Sequence, residues 1–225
     1  MLRFEKPEYK VVEYVEDNFY GKFVLEPLER GFGRTIGNAL RRVMLSSLPG
    51  SAVTRIKIEG VLHEFQKVDG IVEDVTEIVQ NLKSLVLKNH SEEDQVLHLK
   101  SSKEGIVTAA DIDKNSEVDV INQDLVICTL AKGGSIDMTM TVSNGRGYVD
   151  ARVNSKNIPD SEVGSIAIDS LYSPIERISY DVEDARVGQS ENYDKLIMEV
   201  WTNGSIHPEE AIALASRILI EHFEV

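Results

Sequence analysis

LEPLERGFGRTIGNALRRVMLSSLPG, residues 25–50, combines a glycine-punctuated entry, a short amphipathic helix and a Pro-Gly stop. We predict a helix over residues 34–47. Its two faces differ in chemistry on a 3.6-residue turn. Small and apolar side chains form one face: Ile36, Leu40, Val43, Met44 and Ser47. Arginines around a leucine form the other: Arg34, Asn38, Arg41, Arg42 and Leu45. An apolar centre ringed by Arg is typical of a protein–protein contact, although solvated helix charges are the alternative.

The composition is that of an ordinary globular protein. The chain has 225 residues, 42% apolar and 28% charged, enough for one large domain or two small ones. Its single cysteine, Cys128, lies in an apolar run, which predicts a buried residue and a reducing, cytoplasmic setting. No apolar run approaches the ~20 residues needed to cross a bilayer. A net charge of −14 repels phosphate, so we expect no strong DNA binding.

Periodicity predicts the other main elements. A second helix is expected over residues 73–87, because apolar residues recur there at helical spacing. Strands are expected at residues 19–25, 52–59 and 195–201, and short strands over most of residues 98–168. Alternating residues around Asn144 and Gly145 predict a hairpin over residues 135–153.

The last helix is expected to begin near Pro208, which needs no N–H in the first helical turn. Glu209 and Glu210 favour the positive end of its dipole. The apolar arc of this helix is wide. One stripe contains Ala211, Ala215 and Ile218, and a second contains Ile212, Leu219 and Phe223. Two stripes indicate two packing partners, the chain's own sheet and another subunit; complete burial in one core is the alternative.

Motifs for catalysis or metal binding are incomplete. His63 and Glu64 begin a zincin pattern, but position 67 is Lys where the second His is required. Asp111 and Asp113 are expected to cap a turn. The Gly-x-Gly pairs at residues 31–33 and 145–147 lack the third Gly or the Lys of a phosphate-binding loop. We therefore predict no catalytic residue and no metal site.

Several motifs occur in one order along the chain: residues 25–50, GVLHEF at 60–65, VTAADI at 107–112, GRGY at 145–148, YSPIERI at 172–178 and TNGSIHPEEA at 202–211. Together they closely resemble the N-terminal assembly domain of bacterial RNA polymerase alpha subunits. The resemblance implies a non-catalytic subunit that homodimerises and forms the platform on which the beta and beta-prime subunits assemble. The enzyme it would serve, DNA-directed RNA polymerase, is a nucleotidyltransferase.

The resemblance also implies the architecture. It predicts an α+β fold with a discontinuous dimerisation domain, residues 1–49 plus 172–225, made of a sheet and two outer helices. A mainly β domain, residues 50–171, is inserted and contacts the large polymerase subunits. The two outer helices would pack against their symmetry mates in an isologous dimer.

Site residues carried over from the family fall into three groups. For the beta-subunit contact they are Arg34, Arg41, Arg42, Leu45, His63, Glu64 and Phe65, with Arg42 foremost. For other large-subunit contacts they are Lys83, Arg146, Tyr148 and Arg186. For dimerisation, or the core beneath the dimer contact, they are Ile36, Leu40, Val43, Ile212, Ala215, Leu219 and Phe223.

No cofactor is expected on this chain, and the Mg²⁺ and any Zn²⁺ of the polymerase are expected on other subunits. Family members continue through a linker into a small domain that contacts promoter DNA and activators, and those functions are not assigned to these residues. Three other classes stay open: a heterodimerising archaeal or eukaryotic assembly subunit, a homodimeric metabolic enzyme and a generic dimeric scaffold. Residues 25–50 and GVLHEF favour the bacterial type or its chloroplast relative.

Overall fold

The computed structural model describes residues 6–16, 19–159, 162–188 and 190–224. Strands predominate over helices in it, which confirms the α+β class. The chain divides into two compact units. Unit 1 comprises Met1–Leu48 with Ser173–Val225, and unit 2 comprises Pro49–Tyr172.

Unit 1 is built on a four-stranded antiparallel sheet. In spatial order its strands are β1 (Glu8–Val15), β2 (Tyr20–Glu29), β14 (Ser190–Thr202) and β13 (Ile175–Val187). Phe23 of β2 lies opposite Met198 of β14, which fixes the register of the central pair. Alternate residues of β14, Leu196, Met198 and Val200, are buried. Helices α1 (Phe32–Ser47) and α4 (Pro208–Phe223) share one core with these side chains.

Helix α1 begins two residues earlier than predicted, and a distant carboxylate caps it. Gly31 precedes the helix with a φ of 91°, a left-handed conformation that favours glycine. Asp194 Oδ2 accepts hydrogen bonds from the Gly31 N–H at 2.8 Å and the Gly33 N–H at 3.0 Å. A carboxylate at this end satisfies open N–H groups and complements the helix dipole.

Two buried glycines bring α1 close to the sheet. A Cβ on Gly37 would lie 2.6 Å from Tyr180 Cδ2 and 2.8 Å from Leu196 Cδ1. A Cβ on Gly33 would lie 2.8 Å from Val182 Cγ1. Any larger residue at either position would therefore push the helix away from β13 and β14.

Unit 2 contains a larger sheet and two strand pairs. The strands of the sheet are β5 (Gln95–Ser101), β9 (Ile136–Arg146), β3 (Pro49–Ile58), β4 (Leu87–Asn89) and β7 (Val118–Val120), with β11 (Ser165–Ala167) also on β3. The pairs are β6 (Gly105–Thr108) with β8 (Val126–Leu130), and β10 (Tyr148–Val149) with β12 (Ser170–Leu171). The helices are α2 (Val75–Leu82) and α3 (Ala151–Asn154). The larger sheet, the β6–β8 pair and α2 contribute buried side chains to one largely aliphatic core.

The predicted second helix is correct in place but too long. Asp74 and Glu77 form a capping box at the start of α2, and the helix ends at Leu82. Leu85 is buried outside the helix, and Leu87 begins β4. The apolar spacing therefore continued into a turn and a strand that bury the same kinds of side chain.

The predicted hairpin over residues 135–153 is wrong. Asn144 and Gly145 lie inside β9, where they pair with Ser51 and Gly50 of β3. A Cβ on Gly145 would lie 2.7 Å from the Tyr172 ring, so this glycine makes room for an aromatic side chain. The chain turns instead at Gly147, whose φ is 65°. After β10 it forms α3 and makes no returning strand with β9.

Candidate functional site

The arginine face of α1 is exposed as predicted. Arg34, Arg41, Arg42 and Leu45 are exposed, whereas Leu40 and Met44 are buried beneath them. The helix contains no Asp or Glu. Within the described ranges, no carboxylate lies at ion-pair distance from Arg34, Arg41 or Arg42. Among the described residues, these three arginines of a strongly acidic chain therefore form no direct ion pair with its own acids.

Part of this face borders a groove of about 970 Å³ inside unit 1. The turn before α1, the side of α1 and strands β13 and β14 line it: Arg30, Gly31, Arg34, Thr35, Asn38, Ala39, Arg42, Tyr180, Val182, Asp184 and Asp194. Arg41 and Leu45 are absent from this lining. The arginine face is therefore divided, with Arg34 and Arg42 beside the groove and Arg41 away from it.

A second depression, of about 570 Å³, contains Arg186. Arg30, Asp184, Ala185 and Asn192 line it with that residue. Arg30 Nη1 donates to Asn192 Oδ1 at 2.9 Å, and Arg186 Nε donates to the Gly188 carbonyl at 2.9 Å. Arg30 and Asp184 line both depressions. Arg186 thus lies in unit 1, in a different compact unit from Lys83, Arg146 and Tyr148.

The loop carrying His63, Glu64 and Phe65 is exposed but held by hydrogen bonds in unit 2. Phe65 is 79% exposed, and Leu62 is similarly open. Gln66 fixes the loop: its Oε1 accepts from the Leu62 N–H at 3.0 Å and its Nε2 donates to the Gly60 carbonyl at 2.8 Å. These bonds hold the backbone of the loop, from which the Phe65 ring projects into solvent.

Lys83 and Tyr148 are brought together by a residue that the sequence did not single out. Lys83 Nζ lies 2.7 Å from Asp169 Oδ2, and Asp169 Oδ1 accepts from the Ala151 N–H at 2.8 Å. The bond from Lys83, followed by that from Ala151, lowers the pKa of Asp169; Tyr148 also bonds to this carboxylate. Arg146 is exposed at the end of β9. No sequence pattern marked Asp169, which follows Lys83 by 86 positions.

The proposed dimer residues divide into core and surface. Leu40, Ile212 and Ala215 are buried in the core of unit 1. Ile36, Val43 and Leu219 are only partly buried, and Phe223 is 76% exposed. Leu214 and Ile218 are also partly buried, and Ile220 is exposed. Together, Ile36, Val43, Leu214, Ile218, Leu219, Ile220 and Phe223 form what we call the open apolar surface.

Other reactive groups have structural roles. Cys128 is buried, and burial, with smaller contributions from Glu73 and Asp111, raises the pKa of its thiol to about 12. Asp111 Oδ2 accepts from the Thr108 N–H at 2.8 Å, the capping role that was predicted. The part of the chain that the structure describes contains no group of three or more His, Cys, Asp or Glu arranged to hold a metal ion. It also contains no helix long and apolar enough to span a membrane.

Comparison with known proteins identifies the family. Residues 56–173 match the family model of the RNA polymerase Rpb3/RpoA insert domain. Proteins named DNA-directed RNA polymerase subunit alpha from Desulfitobacterium hafniense and Desulforamulus reducens are each 55% identical over the whole chain and 71% of their own length. The corresponding protein of Carboxydothermus hydrogenoformans is 53% identical over the same shares. This chain therefore belongs to the family of bacterial DNA-directed RNA polymerase alpha subunits, as the N-terminal domain.

Proposed function

We propose that this chain is a non-catalytic assembly subunit of DNA-directed RNA polymerase. Two copies pair through unit 1, and the pair forms the platform on which the beta and beta-prime subunits assemble. The observation that carries this proposal is that unit 1 has both the open apolar surface and an exposed arginine face on a helix without acidic residues.

Dimerisation would cover the open apolar surface. Its members come from α1 and from α4 between Leu214 and Phe223, and most of them pack against the core of unit 1. Exposed apolar patches of this kind favour association. In a two-fold dimer each α1 and α4 would meet the same elements of the second copy. Unit 1 is then the dimerisation domain, formed from both ends of the chain.

Docking of beta is assigned to the exposed face of α1. Arg42 lies beside a groove with no carboxylate partner within the described residues, and its planar fork suits a carboxylate on another protein. Leu45 supplies an exposed apolar contact next to it. Arg34, Arg41 and the ordered loop with His63, Glu64 and Phe65 complete the proposed beta contact.

Further contacts with the large subunits are assigned to Lys83, Arg146 and Tyr148 of unit 2 and to Arg186 of unit 1. Unit 2 is then the inserted domain that faces those subunits. The polymerase's Mg²⁺ and any Zn²⁺ would be held by the other subunits, and the whole complex would perform nucleotidyl transfer in the cytoplasm. We expect no strong DNA binding by this chain, because its net charge is −14.

Light scattering on a sizing column tests the proposal, with the chain alone and mixed with a purified bacterial polymerase beta subunit. We expect a dimer of twice the 25.1 kDa chain mass that captures one beta subunit. A monomer would contradict the proposed dimerisation. A dimer that does not bind beta would contradict the proposed role as a platform.

Arg42→Ala sharpens the same experiment. The variant should remain a folded dimer and lose about 2 kcal/mol of beta binding, because it removes a central arginine from the contact. Arg217→Ala is the matched control, since Arg217 is exposed on α4 outside the proposed docking face. Equal capture of beta by wild type and Arg42→Ala would refute the assignment of Arg42.

A further inference from the structure

We propose that the groove beside α1 receives an extended segment of the docked large subunit, carrying two carboxylates about four residues apart that pair with Arg34 and Arg42. This inference rests on the proposed function, because it specifies the chemistry of the partner at that docking face. It concerns the groove alone and does not change the roles proposed above for Arg41 and Leu45.

The walls of the groove are basic on one side. Arg30, Arg34 and Arg42 line it, and α1 contributes no acid to balance them. Arg30 already bonds to Asn192. For Arg34 and Arg42, no ion pair is found among the described parts of the chain. Two guanidinium groups are therefore available to carboxylates from outside, and such bonds are shorter and stronger than neutral ones.

The floor of the groove is less polar. Ala39, Tyr180 and Val182 supply it, and Tyr180 and Val182 are only partly buried. Val182 lies on β13, the outermost strand of the sheet beside β14. Its N–H donates to Asp181 Oδ1 at 2.8 Å, so this edge amide already has a partner. At this point of the edge, recognition would therefore depend on side chains, with apolar residues of the segment packed against Ala39, Tyr180 and Val182.

The spacing of the two arginines sets the spacing of the carboxylates. Arg34 and Arg42 are eight positions apart on one helix, which corresponds to about 12 Å along its axis. An extended chain rises about 3.3 Å per residue, so about four residues cover the same distance. Because four is an even number, both carboxylates would project from the same side of the segment.

A protein segment suits the groove better than a nucleic acid. Asp184 and Asp194 also line the groove, and the whole chain is strongly acidic. Asp194 is committed to the start of α1. A phosphate backbone would place charges beside these acids at every step, whereas a peptide places carboxylates only where the arginines lie.

The test combines capture with cross-linking in the dimer of the full chain. Thr35→p-benzoylphenylalanine places a photoreactive group in the groove lining, at an exposed residue. After irradiation with bound beta subunit, mass spectrometry identifies the linked peptide. We expect a beta peptide with two Asp or Glu about four residues apart. A link to the second copy of this chain, or to a peptide without such a pair, would overturn the inference.

Charge variants supply the quantitative part. Arg34→Gln and Arg42→Gln should each weaken beta capture roughly tenfold, because each leaves one carboxylate of the bound segment without its arginine. Arg41→Gln removes the same charge from the same helix outside the groove and should cost less than about threefold, as exposed ion pairs do. Ala39→Leu should also weaken capture by filling the floor. Arg217→Gln is the control for the loss of one exposed charge.

The outcomes separate this inference from the proposed function. If wild type captures no beta, the proposed function fails and the inference fails with it. If wild type captures beta but Arg41→Gln loses as much as Arg42→Gln, only the groove inference fails. A labelled single-stranded 20-mer DNA is the last probe. If it binds wild type but not Arg42→Gln, the groove binds nucleic acid and the inference of an acidic segment is overturned.

Discussion

The core of unit 2 and the core of unit 1 are both built from aliphatic side chains, but they differ in how completely they are covered. Among the described residues, unit 2 buries 26 residues in its core cluster and leaves three partly buried at its margin. Unit 1 buries 13 and leaves nine partly buried, most of them on α1, α4 and β13. The core of unit 2 is covered by the unit itself, whereas a core that continues into partly exposed side chains is typical of an obligate interface.

The difference also separates two uses of an amphipathic helix. In α2, every buried residue serves the core of its own unit: Val75, Ile78, Val79 and Leu82. In α4, Ala211 and Ala215 do the same, but the apolar pattern continues to Phe223, whose side chain is exposed. A helix that is apolar beyond its intramolecular contacts therefore identifies the side of the molecule where a partner is expected.

The largest expected effect tests the open apolar surface itself. Leu219→Asp places a charge at a partly buried apolar position, and a two-fold dimer would contain it twice. We expect a loss of roughly 4 kcal/mol of dimer stability, about a thousandfold in the dissociation constant. Analytical ultracentrifugation measures it. Ile106→Asp, on an exposed residue of unit 2, is the control; dissociation of both variants would remove the distinction between the units.

Ile78→Ala tests the enclosed core. Ile78 is fully buried in α2, so its truncation removes contacts and leaves a cavity. We expect the free energy of unfolding to fall by roughly 3 kcal/mol. Urea denaturation at matched protein concentration measures the change. Val96→Ala, at an exposed position of β5, should change it little. A similar cost for both would mean that the core of unit 2 is not tightly packed.

Gly37→Val tests whether α1 must lie close to the sheet. The new side chain would meet Tyr180 and Leu196 at less than contact distance. We expect a loss of about 2 kcal/mol of stability from overpacking. Asn38→Ala, at the exposed neighbouring position, should leave stability unchanged or slightly higher. Unchanged unfolding of Gly37→Val would show that the helix lies farther from the sheet than the structure places it.

Asp194→Asn is the smallest of the four changes. It removes the charge that caps α1 but keeps one acceptor oxygen, so we expect a cost of about 1 kcal/mol. Asp184→Asn, an exposed residue of the neighbouring strand, is the matched control. Thermal unfolding of both variants measures the difference. An equal shift in both would show that general surface charge, and not capping, is responsible.

The sequence pattern within one helix was sufficient to predict features that depend on that helix alone. The two faces of α1 follow from helical spacing of Leu40 and Met44 against Arg41 and Leu45, and the structure confirms them. The start of α4 at Pro208 is likewise confirmed, because proline has a defined place in the first helical turn. The family motifs supplied the roles of the individual residues, which remain predictions.

Distant contacts could not be predicted in the same way. Gly145 follows Asn144, as in a hairpin turn, yet it lies in strand β9, where the absence of a side chain leaves room for the Tyr172 ring. The capping of α1 by Asp194 depends on strand register between residues far apart in sequence. The groove likewise depends on residues far apart in sequence, because Ala39 of α1 and Val182 of β13 both line it. Spacing within one segment contains no information about such pairs.

The chain order of the unit 1 sheet has a consequence for synthesis on the ribosome. Strand β2 lies between β1, which precedes it, and β14, which emerges only after all of unit 2. At a synthesis rate of roughly 5–20 residues per second, β14 is made on the order of ten seconds after β2 and α1. Unit 2 is contiguous and has all of its strands before β13 is made. The core that α1 shares with β14 can therefore form only after the whole of unit 2 has been synthesised.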